Sequence, residues 1–308
     1  MTKISIRHLR YFEALAQRGH FGRAAAACGV SQPALSIQIK ELEENVGAPL
    51  VERGVRQITL TALGEVFAPR VREILRAIDE LGLLARSTSD VLIGRLRMGV
   101  IPTLAPYILP QVIRNLSVRL PDLDLWPREA VTQKLVGDLI EGRLDVAIVA
   151  LPISEPSLVE HPLFTEEFVL VRPLADAGRP VPLPDALREM RLLLLEEGHC
   201  FRDQALSYCK MASAAPRDLM EGSSLSTLVQ LVGAGLGVTL IPQMAIEIET
   251  RMACVSVAQL AHPRPQRTIG LVWRKTNPLG RQFESMIDIV REAATGDRAA
   301  APPTSGHV

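Results

Sequence analysis

Apolar residues recur along this chain in three successive rhythms. Ile6, Leu9, Phe12, Leu15 and Ala16 fall at helical spacing, and a break at Arg18-Gly-His20 follows. Phe21 to Cys28 then reads as a short alanine-rich helix ended by Gly29. The next helix has Ser31 as its N-cap, Pro33 in its first turn and Leu35, Ile39 and Leu42 on one stripe. Leu50 to Leu60 reads as two short strands turning near Gly54. Beyond Thr61, a candidate cap, the rhythm becomes a heptad: Leu60, Leu63, Phe67, Val71, Ile74, Ile78 and Leu81 alternate spacings of three and four, the seam of a pairing helix.

From Gly94 strands and helices alternate. Strands are predicted at Leu96–Val100, Leu123–Pro127, Val146–Leu151, Phe168–Val171, Leu192–Leu195, Val238–Ile241 and Ile269–Trp273. Helices are predicted at Leu109–Leu120 and Gln133–Leu139, and near 225–233 and 279–293. Such alternation predicts open α/β sheets with ligands at their carboxyl ends. Gly233, Gly235 and Gly237 follow no strand, so they read as a helix end and turn rather than a dinucleotide loop. The shift at Arg86-Ser-Thr-Ser-Asp90 marks a hinge, and the Ala/Pro/Gly-rich stretch 296–308 reads as a disordered tail.

Composition narrows the class. The 308 residues carry 34 basic and 34 acidic side chains and are 47% hydrophobic, which suits two or three soluble globular units. No run approaches the ~18 apolar residues of a membrane span. The first residues, Met-Thr-Lys-Ile-Ser-Ile-Arg-His, lack the apolar core of a signal peptide, so a cytoplasmic protein is expected and a secreted solute-binding protein is disfavoured. Four cysteines at 28, 200, 209 and 254 in such a chain argue against a structural disulfide framework.

The order of helix, short turn, helix and basic hairpin is that of a winged helix-turn-helix DNA reader. Residues 1–60 hold eight Lys/Arg against five Asp/Glu, a weak basic bias. Ser31, Gln32, Pro33, Ser36, Gln38 and Lys40 give the second helix a small polar face for a major groove. Arg53 and Arg56 on the hairpin would reach phosphate or minor groove. Operator symmetry favours a dimer through the heptad helix.

The segment from Glu197 to Cys209 holds the candidate chemistry. Cys200 has His199 before it and Arg202 two positions on, and cations near a thiol favour the reactive thiolate. The run Arg202 to Met211 reads as helix. Positions nine apart on a helix are about 13 Å apart along the axis, whereas a disulfide needs Cα atoms closer than about 7 Å. Pairing of Cys200 with Cys209 would therefore require unwinding. The plain alternative is two inert packed thiols.

Several strings resemble the LysR-type transcriptional regulators: His8-Leu-Arg-Tyr-Phe12, Ala24-Ala-Ala, Val30-Ser-Gln-Pro-Ala-Leu-Ser36 and Leu60-Thr-Ala-Leu-Gly64. The resemblance covers nearly the whole chain. It implies a winged helix-turn-helix over 1–60, a dimerising linker helix over 61–90, and a two-lobed regulatory domain resembling periplasmic binding proteins. One lobe is expected over 91–164 and 268–295, and the other, with the redox cysteines, over 165–267. Gly198-His-Cys-Phe-Arg-Asp-Gln-Ala-Leu206 followed by Cys209 is similar to the peroxide-sensing members. Ile101-Pro-Thr103, Glu129-Ala-Val-Thr132 and Arg267-Thr-Ile-Gly270 stand where those members carry their peroxide pocket.

By that resemblance Cys200 would attack hydrogen peroxide and Cys209 would resolve the product. Thr103, Thr132, His199, Asp203 and Arg267 would orient peroxide and stabilise the leaving hydroxide. Plainer roles exist: Thr103 and Thr132 as helix caps, Asp203 with Arg267 as an ion pair, and Cys28 and Cys254 as packed thiols. The resemblance further implies double-stranded promoter DNA, RNA polymerase and a homodimer or homotetramer as partners, glutaredoxin or thioredoxin as reductant, and no metal or cofactor. The alternatives are a LysR-type regulator sensing a small metabolite between the lobes and, from another class, a thiol peroxidase, for which a DNA reader would be idle.

Overall fold

The structure is a computed structural model, and it describes residues 3–54, 58–87, 91–187, 190–209 and 220–295. The chain forms two compact units, Met1–Ala85 and Arg86–Val308. The expected tail at 296–308 and Arg56 lie outside the described residues.

The first unit contains α1 (Ile6–Arg18), α2 (Phe21–Ala27), α3 (Gln32–Val46), the strands β1 (Val51–Arg53) and β2 (Ile58–Leu60), and α4 (Ala62–Ser87). Local chemistry sets each boundary. Gly19 ends α1 at φ 58°, a left-handed conformation that favours glycine. The His20 Nδ1 then accepts from the amides of Gly22 and Arg23, so histidine caps α2 where a serine would be expected. Ser31 caps α3 as expected, its Oγ accepting from the Ala34 amide. The hairpin pairs Val51 with Leu60, and the Glu43 carboxylate accepts from the amides of Leu50 and Val51 to hold it against α3. Leu9, Phe12, Leu15, Leu35, Ile39, Leu42 and Leu50 close one core.

α4 divides the expected heptad seam. Val71 is buried, and Phe67 packs on the first unit's own core. Leu63, Ile74 and Leu81 stay exposed, joined by Val66 and Leu84. The exposed apolar face is thus Leu63, Val66, Ile74, Leu81 and Leu84, with Leu63, Ile74, Leu81 and Leu84 still at heptad spacing.

The second unit runs β3 (Gly94–Val100), α5 (Ala105–Arg119), β4 (Leu123–Glu129), α6 (Thr132–Ile140), β5 (Val146–Leu151) and β6 (Leu158–Pro173). It continues with α7 (Pro184–Leu187), β7 (Leu194–Leu195), α8 (Cys200–Tyr208), β8 (Glu221–Gly222), α9 (Leu225–Gly233), β9 (Thr239–Pro242), α10 (Ile246–Glu249), β10 (Val255–Gln259), β11 (Gln266–Arg274) and α11 (Gly280–Thr295). The main sheet has the order β10-β6-β11-β5-β3-β4, with β9 also pairing β6. β3 pairs β4 and β5 in parallel, as βαβ units require, and β11 inserts antiparallel between β5 and β6.

β6 is the feature the sequence concealed. Only its second half reads as an apolar run. Its first half, Leu158–Glu167, pairs β11, and its end, Phe168–Pro173, pairs β9 and β10. Pro162 interrupts the pattern because it sits opposite Gly270 at a register shift, where a strand tolerates proline. Gly270 cannot carry a side chain there, since a Cβ would meet Leu151 Cδ1 at 2.4 Å and the His161 carbonyl at 2.9 Å. The expected lobe boundaries, 164/165 and 267/268, fall inside this β6–β11 ladder. One cluster, built on Phe168, Leu170, Phe201, Leu206, Leu228 and Ile241, fills the part that carries α8.

Candidate functional site

Three segments meet at the start of α8. The loop after β3 brings Ile101, Pro102 and Thr103; the start of α6 brings Val131 and Thr132; and His199 and Cys200 begin α8. Together they line a tight recess with no room for more than the smallest ligand. Gly198, at φ 95°, makes the left-handed turn that delivers His199 and Cys200 to it.

Cys200 is the first residue of α8 and is half-buried, while Cys209 is the C-cap of the same helix and is fully buried. The helix is continuous from Cys200 to Tyr208, so the two thiols mark its opposite ends, about 13 Å apart along the axis. Burial pushes the Cys209 thiol up to about 11. In place, therefore, Cys209 is a thiol rather than a thiolate at neutral pH.

That shift makes a prediction. A group whose pKa is raised on folding adds stability below its unfolded pKa and loses it as pH rises through the folded value. The second unit should lose roughly 2–3 kcal/mol of unfolding free energy between about pH 9 and 11. Cys209→Ala should remove this share of the loss in chemical denaturation at several pH values, and an unchanged slope would refute the assignment.

The cationic neighbours do not act as the sequence suggests. Burial lowers the pKa of His199, against the opposing pull of Glu196 and Glu129, so the imidazole is neutral at pH 7. Arg202 turns away: its Nη1 donates to the Leu195 carbonyl at 2.8 Å and pairs with Glu221 at 2.7 Å. Cys200 itself stands at a helix N-terminus, where unpaired amides and the helix dipole attract negative charge.

The two threonines are not caps. Leu104 and Val131 occupy the cap positions of α5 and α6. Thr103 is buried and its Oγ1 accepts from Arg267 Nη1 at 2.8 Å. The Thr132 Oγ1 is buried and has no hydrogen-bond partner among the described residues. Arg267 does not line the recess. Its guanidinium pairs with Glu166 at 2.6 Å, donates to the Thr103 carbonyl at 3.1 Å and lies 5.3 Å from the centre of the Phe201 ring. Asp203 is exposed on the outer side of the first turn of α8, so the ion pair expected between Asp203 and Arg267 is replaced by the pair with Glu166. Glu166 and Phe201 carry contacts that sequence reasoning did not assign to the site. Glu166 lies in the concealed half of β6, and Phe201 reads only as a core residue.

Cys28 caps the end of α2, half-buried, and burial raises its pKa. Cys254 is exposed before β10. Among the described residues, no group of three His, Cys, Asp or Glu could hold a metal ion, and no helix is long and apolar enough to cross a membrane.

On the first unit, Ser31, Gln32, Pro33 and Lys40 are exposed along α3, with Ser36 and Gln38 half-buried beside them. Gln38 bonds Glu41 at 2.7 Å and Lys40 pairs loosely with Glu44 at 3.6 Å, which leaves Gln32 and Ser36 the less committed polar groups. Arg53 ends β1 opposite Ile58.

Comparison with known proteins agrees with this division. Residues 6–65 match the family described as bacterial regulatory helix-turn-helix protein, lysR family, and residues 89–295 match the LysR substrate binding domain. A probable hydrogen peroxide-inducible genes activator from Streptomyces viridosporus is 45% identical over 293 residues, covering 94% of each chain. A full-length OxyR variant from Pseudomonas aeruginosa superposes with a TM-score of 0.74 at 34% identity, covering 94% of this chain and 96% of that one. A hydrogen-peroxide-bound OxyR mutant from Corynebacterium glutamicum gives 0.65 at 34% identity, over 99% and 98%. A helix-turn-helix first unit and an α/β second unit, each matched by its own family model, make this chain a member of the LysR-type transcriptional regulators.

Proposed function

We propose that this chain is a hydrogen-peroxide-responsive transcriptional regulator in which Cys200 is the reacting thiol and Cys209 the resolving one. One observation carries the reading: Cys200 opens a helix in a tight recess beside a threonine hydroxyl with no partner among the described residues, while the second thiol closes the same helix from inside the core. Relatives at this similarity named as peroxide-inducible activators, and one solved with peroxide bound, support it.

The chemistry follows from the geometry. The Cys200 thiolate attacks one peroxide oxygen, forming the sulfenic acid and releasing hydroxide. Thr103, Thr132 and neutral His199 offer hydrogen bonds to the charge growing on the leaving oxygen. Asp203 contributes the acidic residue of the first turn. Cys209 must leave the hydrophobic cluster before it can ionise and attack the sulfenic sulfur, forming the S–S bond and releasing a second hydroxide. Oxidation is therefore a conformational switch, because α8 must unwind for the sulfurs to meet. A cellular dithiol such as glutaredoxin or thioredoxin would reverse it. A metabolite of ordinary size needs about 300–1,000 Å³, which this recess does not offer. Stoichiometric peroxide followed by peptide mapping tests the reading: a Cys200–Cys209 linkage supports it, and a fully reduced Cys200 refutes it.

The first unit is proposed to place α3 in a major groove of promoter DNA as a homodimer or homotetramer, with RNA polymerase as the further partner. Arg53→Ala should weaken binding to every sequence and lower the salt slope by about 1, through loss of one phosphate contact. Gln32→Ala should cost about 1–3 kcal/mol on the operator alone. Titrations at two salt concentrations separate these effects, and unchanged affinity in both variants would refute the groove placement.

A further inference from the structure

The direction of one proton in the recess is set from outside it. Arg267 on β11 stands directly across from Glu166 on β6, and both side chains are shut off from solvent. Glu166 Oε1 accepts from Arg267 Nε at 2.8 Å and lies 2.6 Å from Nη2. A guanidinium is planar with its donors in a fixed fork, so a carboxylate held along one edge orients the other edge. That other edge meets Thr103: Nη1 donates to its hydroxyl at 2.8 Å and Nη2 to its carbonyl at 3.1 Å.

A threonine hydroxyl has one hydrogen to give. Arg267 occupies an acceptor position on Thr103 Oγ1, and no acceptor for the Thr103 hydrogen is found among the described residues. Thr103 lines the recess beside Cys200. The hydrogen is therefore turned away from the guanidinium and toward the place where a ligand oxygen would sit. Were Arg267 free to rotate, the hydroxyl could donate elsewhere and present a lone pair to the recess instead.

We propose that Glu166 is a positioning residue for the reaction of Cys200 with hydroperoxides: by holding Arg267, it commits the Thr103 hydroxyl to donate to the leaving oxygen. The inference rests on the peroxide reading above and assigns the order of control within it, from Glu166 to Arg267 to Thr103. In the step, the thiolate sulfur attacks the near oxygen, the S–O bond forms and the O–O bond breaks. The sulfur is oxidised by two electrons, the peroxide is reduced, and the pair released from the O–O bond leaves on the far oxygen as hydroxide, met by the Thr103 hydrogen bond.

The test measures two rates at Cys200 in the full-length reduced protein: oxidation by hydrogen peroxide and alkylation by iodoacetamide. Both need the thiolate, but only the first creates a leaving oxyanion. Glu166→Gln keeps the size and should slow oxidation by roughly 10- to 100-fold with alkylation unchanged. Thr103→Val should give the same loss, Thr103→Ser should retain the rate, and adding Glu166→Gln to Thr103→Val should slow nothing further. Arg267→Lys keeps a buried cation against Glu166 but cannot reach Thr103 at the same time. It should match Thr103→Val, and it decides the matter if Glu166→Gln does not fold. Additive losses, parallel slowing of alkylation, or wild-type oxidation in the Arg267→Lys protein would overturn the inference. A wild-type protein whose Cys200 is alkylated normally yet ignores peroxide would instead overturn the peroxide reading, and this inference with it.

Discussion

Cys200→Ser protein is expected to lose peroxide-dependent transcription altogether, whereas Cys209→Ser protein should still be oxidised at Cys200 and stop at sulfenic acid or a mixed disulfide. The asymmetry follows from where α8 places its ends. Cys200 sits at the helix N-terminus, half-open to the recess. Cys209 is packed among Phe201, Leu206 and their neighbours with its thiol pushed up to about 11. A buried thiol at that value is a poor nucleophile until the helix opens. Oxidation should accordingly raise amide exchange across 201–209, since the hydrogen bonds of that helix must break for the sulfurs to meet. Mass spectrometry of peroxide-treated protein reads both outcomes. A normal transcriptional response from Cys200→Ser protein would favour the metabolite-sensing alternative, with its ligand between the lobes rather than in this recess.

Ile74→Glu should abolish assembly through α4 while leaving the first unit folded. Ile74 is 48% exposed on the apolar face with Leu63, Val66, Leu81 and Leu84. In a symmetric helix pair two such carboxylates would be buried without partners, at a cost of about 3–5 kcal/mol. Val71→Glu is the informative contrast: Val71 belongs to the buried core of its own unit, so that variant should unfold the domain rather than dissociate a dimer. Sedimentation and circular dichroism of the two proteins separate the cases. An Ile74→Glu protein that still assembles and binds a palindromic site normally would show that this face does not pair.

Much of the architecture was legible in one dimension. Ser31 as a cap, the helix of Leu35, Ile39 and Leu42, the hairpin around Gly54 and the buried strand Val146–Leu151 are dictated by neighbours within a few residues, and periodicity reports such local choices faithfully. The same locality made the argument about α8 hold: a continuous helix from Cys200 keeps Cys209 at its far end. The strings around Thr103, Thr132 and Cys200 could be matched by resemblance, and the fold brings those three residues to one recess.

Tertiary structure decided what depends on residues far apart in the chain. The heptad of α4 marked an apolar helix but could not say that Phe67 and Val71 face inward while Ile74 and Leu81 face out, because that depends on where the first unit's core lies. Cations adjacent in sequence to Cys200 proved a poor guide to its electrostatics: Arg202 is claimed by Glu221, and burial leaves His199 neutral. Arg267, 67 positions away from Cys200 in sequence, meets the site only through Thr103, and its orientation comes from Glu166 across the β6–β11 ladder. Periodicity records which face of an element is apolar; the identity of a charge's partner is set by which strands cross, and that is fixed only when the whole sheet closes.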